Sequence, residues 1–393
     1  MMVITMNKLL PVVRFNNYFG DWDKNKLKNL ASFSKGKGYT KSDLTEQGQP
    51  IILYGRLYTK YEAVINSVDT FAHLKDNSVL SEGDEVIVPG SGETSEDISR
   101  ASVIGESGII IGGDLNVIKP TKKINSIFLA LTISNGRQQK ELSKRAQGNS
   151  VVHLYNSNLK EVSIIFPEKE EQEKIGSFFN KLDKTITLQQ QLVNDHKQLK
   201  KAMLQKMFPQ KGESVPRVRF AGFNVDWAVR TLGEISNMYQ PTTIGQSDLL
   251  DSGIPVFGAN GYIGYYSAEN HKNDQVTISA RGEKAGNPSY VRGPVWITGN
   301  SMVINVDENA EMDKYFLYQN LLSLSLKRFV TGGAQPQLTR NVLDRVPIKT
   351  PSLKEQEKIG NFFKQLDETI DLHEQKLETY QELKKAMLQK MFV

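Results

Sequence analysis

With 393 residues the chain is too long for one ordinary domain, and its 39% hydrophobic and 24% charged residues are close to average globular usage. That balance excludes a disordered, collagen-like or membrane-embedded chain, and no apolar run approaches the roughly 18–20 residues that span a bilayer. A net charge of +5 and a pI near 8.9 suit a polyanionic partner met through local basic patches. The absence of cysteine rules out disulfides and thiolate metal sites, and the five histidines show no ligand spacing. The opening MMVITMNKLL lacks a long apolar stretch and a small-residue cleavage site, so a cytoplasmic protein is expected.

In chain order, PVVRFNNYFGDW (11–22) leads into two loops rich in basic and aromatic residues, SFSKGKGYTKSD (32–43) and YGRLYTKY (54–61). The β-branched runs VIVPG (86–90), GIIIGG (108–113) and VSIIF (162–166), cut by Gly and Pro, are expected as strands. A helix is expected over 125–146, overlapping a third polar segment, RQQKELSKRAQGN (137–149). A long helix follows over 168–208, and PQKGESVP (209–216) is a linker. The second half runs through PRVRFAGFNVDW (216–227) and the loop YQPTTIGQ (239–246) to the strand QVTIS (275–279). The loop ARGEKAGNPSY (280–290) precedes the strands VWITG (295–299) and MVINV (302–306). After a helix over 311–328 come the loop KRFVTGGAQPQLTR (327–340), the strand RVPIK (345–349) and a last long helix, 352–392.

The halves repeat one another. Between 167–208 and 351–392, 25 of 42 positions are identical at a constant offset of 184. Upstream, Gly148, Leu154 and Ile164 face Gly332, Leu338 and Ile348 at that offset. IIGGDLNVI faces WITGNSMVI at 186, GDEVIVPG faces NDQVTISA at 190, and the two openings face each other at 205. Each half is therefore a diverged α/β domain followed by a well-preserved helical segment, as expected of shared structure with separate specificity. A duplicated fold without division of labour is the alternative.

The helical segments carry a seam spaced 4,3,4,3: Ile175, Phe179, Leu182, Ile186, Gln189 and Val193, continuing to Met207, and Ile359, Phe363, Leu366, Ile370, His373 and Leu377, continuing to Met391. Each helix needs a partner, for which the other copy is the obvious candidate. The polar seam positions Gln189/His373, His196/Tyr380 and Lys200/Lys384 look like register devices.

Motifs for chemistry are missing. There is no GxxxxGK[ST] phosphate cradle and no strand-borne GxGxxG, and Asn287-Pro288-Ser289-Tyr290 lacks the second proline of an adenine-methyltransferase loop. The polar loops offer another use, since Lys and Arg neutralise phosphates while Arg, Gln and Asn can pair bidentately with base edges. The candidate DNA contacts are Lys35, Lys37, Tyr39, Lys41, Tyr54, Arg56, Tyr58 and Lys60 in the first half, and Arg281, Lys284, Asn287, Tyr290, Gln335, Gln337 and Arg340 in the second. Ordinary solvated loops are the alternative for any one of them. At the level of the whole chain, a coiled-coil scaffold with two protein-binding domains is also open.

From about residue 11 onward the chain resembles the specificity (S) subunits of type I restriction-modification systems. The resemblance is carried by the doubled EQEKIG…FF…LD…I helix ending LKKAMLQKMF, the doubled VRF…DW opening, and FGANGYIGYY followed by TISARGEKAGNPSYV and WITGNSMVI. It implies an α/β (α+β) protein with two target-recognition domains (1–166 and 216–350). Between and after them would lie the spacer helices (167–215 with its linker, and 351–393), paired as an antiparallel coiled coil in a pseudo-two-fold duplication. It further implies a non-catalytic subunit that reads a bipartite double-stranded DNA target, one domain per half-site. The helices would seat two methyltransferase subunits, with restriction motor-nuclease subunits joining through them. S-adenosylmethionine, ATP and Mg²⁺ would sit on those partners, with no cofactor or metal on this chain.

Overall fold

The computed structural model describes residues 2–4, 10–146, 151–332 and 336–393. The chain divides into two compact units, Met1–Gln190 with Gln375–Val393, and Gln191–Glu374. Each is mixed α/β, and each contains parts of both long helices.

In the first unit a five-stranded sheet runs in the order Ala31–Lys35, Leu115–Pro120, Val86–Pro89, Ser102–Ile104, Val64–Ile65. A four-stranded sheet lies in the same unit, with Ile110–Ile111 parallel to Gln49–Ile52. In the second unit the central sheet is Asn237–Tyr239, Ser301–Asn305, Gln275–Ser279, Pro288–Val291, and a smaller one sets Ile254–Gly258 parallel to Trp296–Ile297. The duplication persists at the level of register. Val117 sits between Ser34 and Ile87, and Val303 between Tyr239 and Thr277, as the offsets 186, 205 and 190 require. Ile110 opposite Ile51 likewise matches Trp296 opposite Val256.

The expected helix over 125–146 is two helices, Ser126–Ser134 and Gly136–Arg145. The break falls at Gly136, whose φ of +67° is left-handed backbone and whose place a side chain could not share, since a Cβ would lie 2.7 Å from the Val393 carbonyl. The helix expected over 311–328 is regular only over Lys314–Ser323, because Ser325 turns left-handed at φ 49°.

The long helices are continuous over Lys169–Lys206 and Leu353–Met391, and every seam position is buried or half-buried. Within the first unit their segments pair antiparallel: Phe179 packs 5.8 Å from Phe392, and Lys384 meets Asp183 at 2.5 Å. The second unit repeats this, with Phe208 5.9 Å from Phe363 and Lys200 meeting Asp367 at 2.6 Å. In that unit His196 also stacks on His373. Each aromatic knot takes in a helix phenylalanine and a tryptophan, Phe128 with Trp22 and Phe316 with Trp227.

The doubled VRF opening has a structural reason. Arg14 donates two 2.7 Å hydrogen bonds to Glu171 at the start of the first long helix and a third to the Gly20 carbonyl. Arg219 does the same to Glu355 and the Val225 carbonyl. Gln172 and Gln356 each bond the backbone nitrogen of the N-cap residue of the neighbouring helix, Asn125 or Asp313. Among the described residues no helix is long and apolar enough to cross a membrane.

Candidate nucleic-acid interface

In the second unit the central strand Gln275–Ser279 runs out into the loop 280–287, which main-chain bonds hold in place. The Ala280 amide donates to the Asn300 carbonyl at 3.0 Å, and the Leu338 amide to the Ala280 carbonyl at 2.9 Å. Arg281 faces Gln337 as antiparallel bridge partners, and Thr331 and Gln337 exchange backbone bonds of 2.9 and 2.7 Å. Gly282 and Gly286 supply the positive φ that this tight loop needs. The side chains of Arg281, Lys284, Gln337 and Arg340 are exposed. The Lys284 ammonium donates to the Asn260 carbonyl at 3.1 Å, tying the loop to the hairpin that carries exposed Tyr262 and Tyr265. The Gln240 amide donates to the Gly299 carbonyl at 2.8 Å on the neighbouring turn.

Two expected residues lie elsewhere. Tyr290 donates to Asp274 at 2.9 Å and packs on Tyr315 and Tyr318, in a polar hollow of about 520 Å³ that Lys200, Arg292 and Asp367 also line. Burial pushes the phenol of Tyr290 well above its ordinary range, and that of Tyr318 up to about 12. Half-buried Asn287 borders a second hollow of about 350 Å³ with Leu321 and Leu326. Gln335 lies outside the described residues.

In the first unit, Lys35 and Lys37 are exposed on a loop pinned by bonds from Gly36 to Leu115 at 3.0 Å and from Gly113 to Gly38 at 2.8 Å. Only glycine fits at 36, where a Cβ would meet the Gly112 carbonyl at 2.0 Å. The Lys35 ammonium stands 5.7 Å over the Tyr155 ring, which stacks on His153, and His153 Nδ1 shares a 3.1 Å hydrogen bond with the Ser91 hydroxyl. Exposed Tyr54 packs on Tyr58, whose hydroxyl donates to the Ser91 carbonyl and whose pKa burial raises. Lys41 and Lys60 are exposed.

Two more expected contacts are engaged inside the unit. Tyr39 is buried, with its hydroxyl donating to the His73 carbonyl at 3.1 Å and accepting from the Lys75 amide at 2.9 Å. The Arg56 side chain is only 9% exposed and is held by Glu62 at 2.7 Å, Asp69 at 2.8 Å and the Ser67 carbonyl at 3.0 Å.

These faces belong to a chain that the family model described as "Type I restriction modification DNA specificity domain" matches twice, over residues 20–196 and 224–382. The chain belongs to that family. It is similar to the putative type I restriction enzyme MjaX specificity subunit of Methanocaldococcus jannaschii, 24% identical over 377 residues, spanning 89% of this chain and 83% of that protein. It is also similar to the type I restriction enzyme EcoprrI specificity subunit of Escherichia coli, 26% identical over 132 residues, or 32% of each chain. Its fold matches the crystal structure of the type I restriction-modification S subunit from M. genitalium, with a TM-score of 0.71 at 19% identity, over 98% of this chain and 99% of that one. The family's two target-recognition domains and its duplicated helices are thus both present. Sequence reasoning did not single out Ser91, His153, Tyr155, Gln240 and Tyr262. A signal for His153 existed, since the offset of 184 sets it opposite Gln337.

Proposed function

We propose that the chain is the sequence-reading subunit of a type I restriction-modification complex, with each α/β domain contacting one half of a bipartite duplex target. The supporting observation is the double match to a DNA specificity domain, in which the two copies keep one register and one set of anchors while their outward loops differ. That pattern favours DNA reading over a scaffold that binds proteins. In this reading, residues 1–166 and 216–350 are the reading domains, and 167–215 and 351–393 are the spacers. The long helices seat two methyltransferase subunits, a role supported by apolar side chains left exposed beside the buried seam, among them Leu188, Leu192, Leu199, Leu372 and Leu383. Those partners would carry S-adenosylmethionine and the adenine chemistry, and motor-nuclease subunits would carry ATP and Mg²⁺. This chain itself would be non-catalytic and work in the cytoplasm. Full-length protein incubated with labelled methyl donor and duplex DNA should give background transfer alone and robust transfer once methyltransferase subunits are added. Robust transfer by the isolated chain would contradict the assignment.

A further inference from the structure

The tip of the central sheet is built twice on one backbone frame. In the first unit the Gly90 amide donates to the Asp114 carbonyl at 2.6 Å, the Leu154 amide donates to the Gly90 carbonyl at 3.0 Å, and Ser91 pairs with His153 across the strands. The second unit repeats each link at the duplication offsets: Ala280 to Asn300 at 3.0 Å, Leu338 to Ala280 at 2.9 Å, and Arg281 opposite Gln337. The flanking strand follows the same rule, since the offset of 205 that relates Ser34 to Tyr239 sets Lys35 opposite Gln240. Tyr155 then corresponds to Thr339.

Behind this tip the residues stay apolar and buried, as with Val88 and Ile278 or Leu154 and Leu338. At the tip the chemistry is replaced wholesale. One copy has exposed Lys35 and Tyr155 and half-buried His153 above a buried Ser91, and the other has Gln240, Arg281, Gln337 and Thr339, all exposed. Unselected surfaces also drift, but drift alone gives no reason for polar side chains to be carried on a retained, fully bonded backbone frame. Cross-strand partners point to one face with Cβ atoms about 4.5–5.5 Å apart. Base pairs are about 3.4 Å apart along the duplex, so such a pair can reach one base pair or two adjacent ones.

We infer that these four positions in each unit form its base-reading slot and set part of that unit's half-site, an inference that rests on the DNA-reading function proposed above. The second slot suits a guanine beside an adenine in the major groove. The Arg281 guanidinium can fork onto guanine O6 and N7, and the Gln337 amide onto adenine N6 and N7. The first slot offers hydrogen bonds from Lys35 and from the second nitrogen of the half-buried His153 ring, which is braced by the buried Ser91 hydroxyl at Nδ1 and by stacking on Tyr155.

The test is selection of duplexes from a random library by the full chain assembled with methyltransferase subunits, comparing wild type with Arg281→Lys, Gln337→Ala and His153→Ala. Arg281→Lys keeps the charge and loses the fork. It should reduce preference at one base pair of a single half-site by roughly 5- to 150-fold, the usual value of a bidentate contact, through weaker binding of the preferred duplex, while affinity for duplexes that lack that base pair stays within about threefold. Gln337→Ala should relax the same or the adjacent pair, and its backbone bonds to Thr331 do not depend on the side chain. His153→Ala should relax only the other half-site. A wild type that selects a two-part sequence, beside variants that keep every base preference within twofold, would overturn the slot and leave the function standing. A wild type that selects no sequence would overturn both.

Discussion

The ion pair Arg14–Glu171 allows a sharp test of what anchors the first α/β domain to its helix. The two side chains are 4% and 0% exposed and share two hydrogen bonds of 2.7 Å. Breaking such a pair strands a desolvated charge, at a cost of about 3–5 kcal/mol, whereas replacing both partners with apolar groups of similar volume is often neutral. Glu171→Gln should therefore destabilise the first unit by about 3–5 kcal/mol, or roughly 6–20 °C for a unit of its size at about 2–4 °C per kcal/mol. Arg14→Met/Glu171→Met should recover more than half of the loss, short of full recovery because the Gly20 carbonyl loses its donor. Calorimetry of the full chain, with hydrogen exchange to assign the affected unit, measures both variants. A single variant within about 1 kcal/mol of wild type, or a double variant as unstable as the single, would refute the buried-charge explanation.

Lys284→Ala should weaken binding to all duplexes alike and lower the slope of log affinity against log salt by about 0.9, as for one lost phosphate contact; a change in base preference instead would make Lys284 a reader. In the second unit His271 donates from Nδ1 to the Asn270 oxygen, which also accepts from the Ile297 amide, and its Nε2 shares a 2.8 Å hydrogen bond with the Tyr239 hydroxyl. Burial lowers its pKa from 6.5, against a smaller opposing pull from Asp307. The unfolded chain thus binds the proton first, and the contribution present above pH 6.5 is lost as pH falls toward the lower folded value. Urea midpoints from pH 8 to 5 should drop less for His271→Gln than for wild type, and equal slopes would exclude this histidine as the cause. If the long helices set the unread gap between half-sites, a second Leu-Lys-Lys-Ala after both Lys201 and Lys385 lengthens each by about 6 Å and keeps the seam nearly in phase. Methylome sequencing should then show the same half-sites with a gap one or two base pairs longer, whereas an unchanged gap at full activity would remove the helices as the ruler.

Much of the fold was legible because duplication writes one pattern twice. The seam from Ile175 to Met207 and its copy could be read from spacing alone, since burial of a helix face obeys a fixed period. The partnership of Arg14 with Glu171 could not, because 157 residues separate them and only the tertiary fold joins them. The break at Gly136 was hidden for the same reason: the close approach that demands glycine is to Val393, at the far end of the chain. At the candidate interface, composition identified the loops without saying which way each side chain turns. Lys35 and Arg281 face outward, while Tyr39 and Arg56 turn inward to His73 and to Glu62 and Asp69. His153 carried no composition signal; in the sequence only the offset that sets it opposite Gln337 pointed to it, and strand pairing places it across from Ser91.

The central claim is that each half of the chain specifies its own half of the target. Replacing residues 216–350 with the corresponding segment of another family member, and sequencing methylated adenines in cells that supply the methyltransferase subunits, tests it most directly. One half of the methylated sequence should change to that of the donor while the other half is retained. A change in both halves, or in neither, would contradict the account.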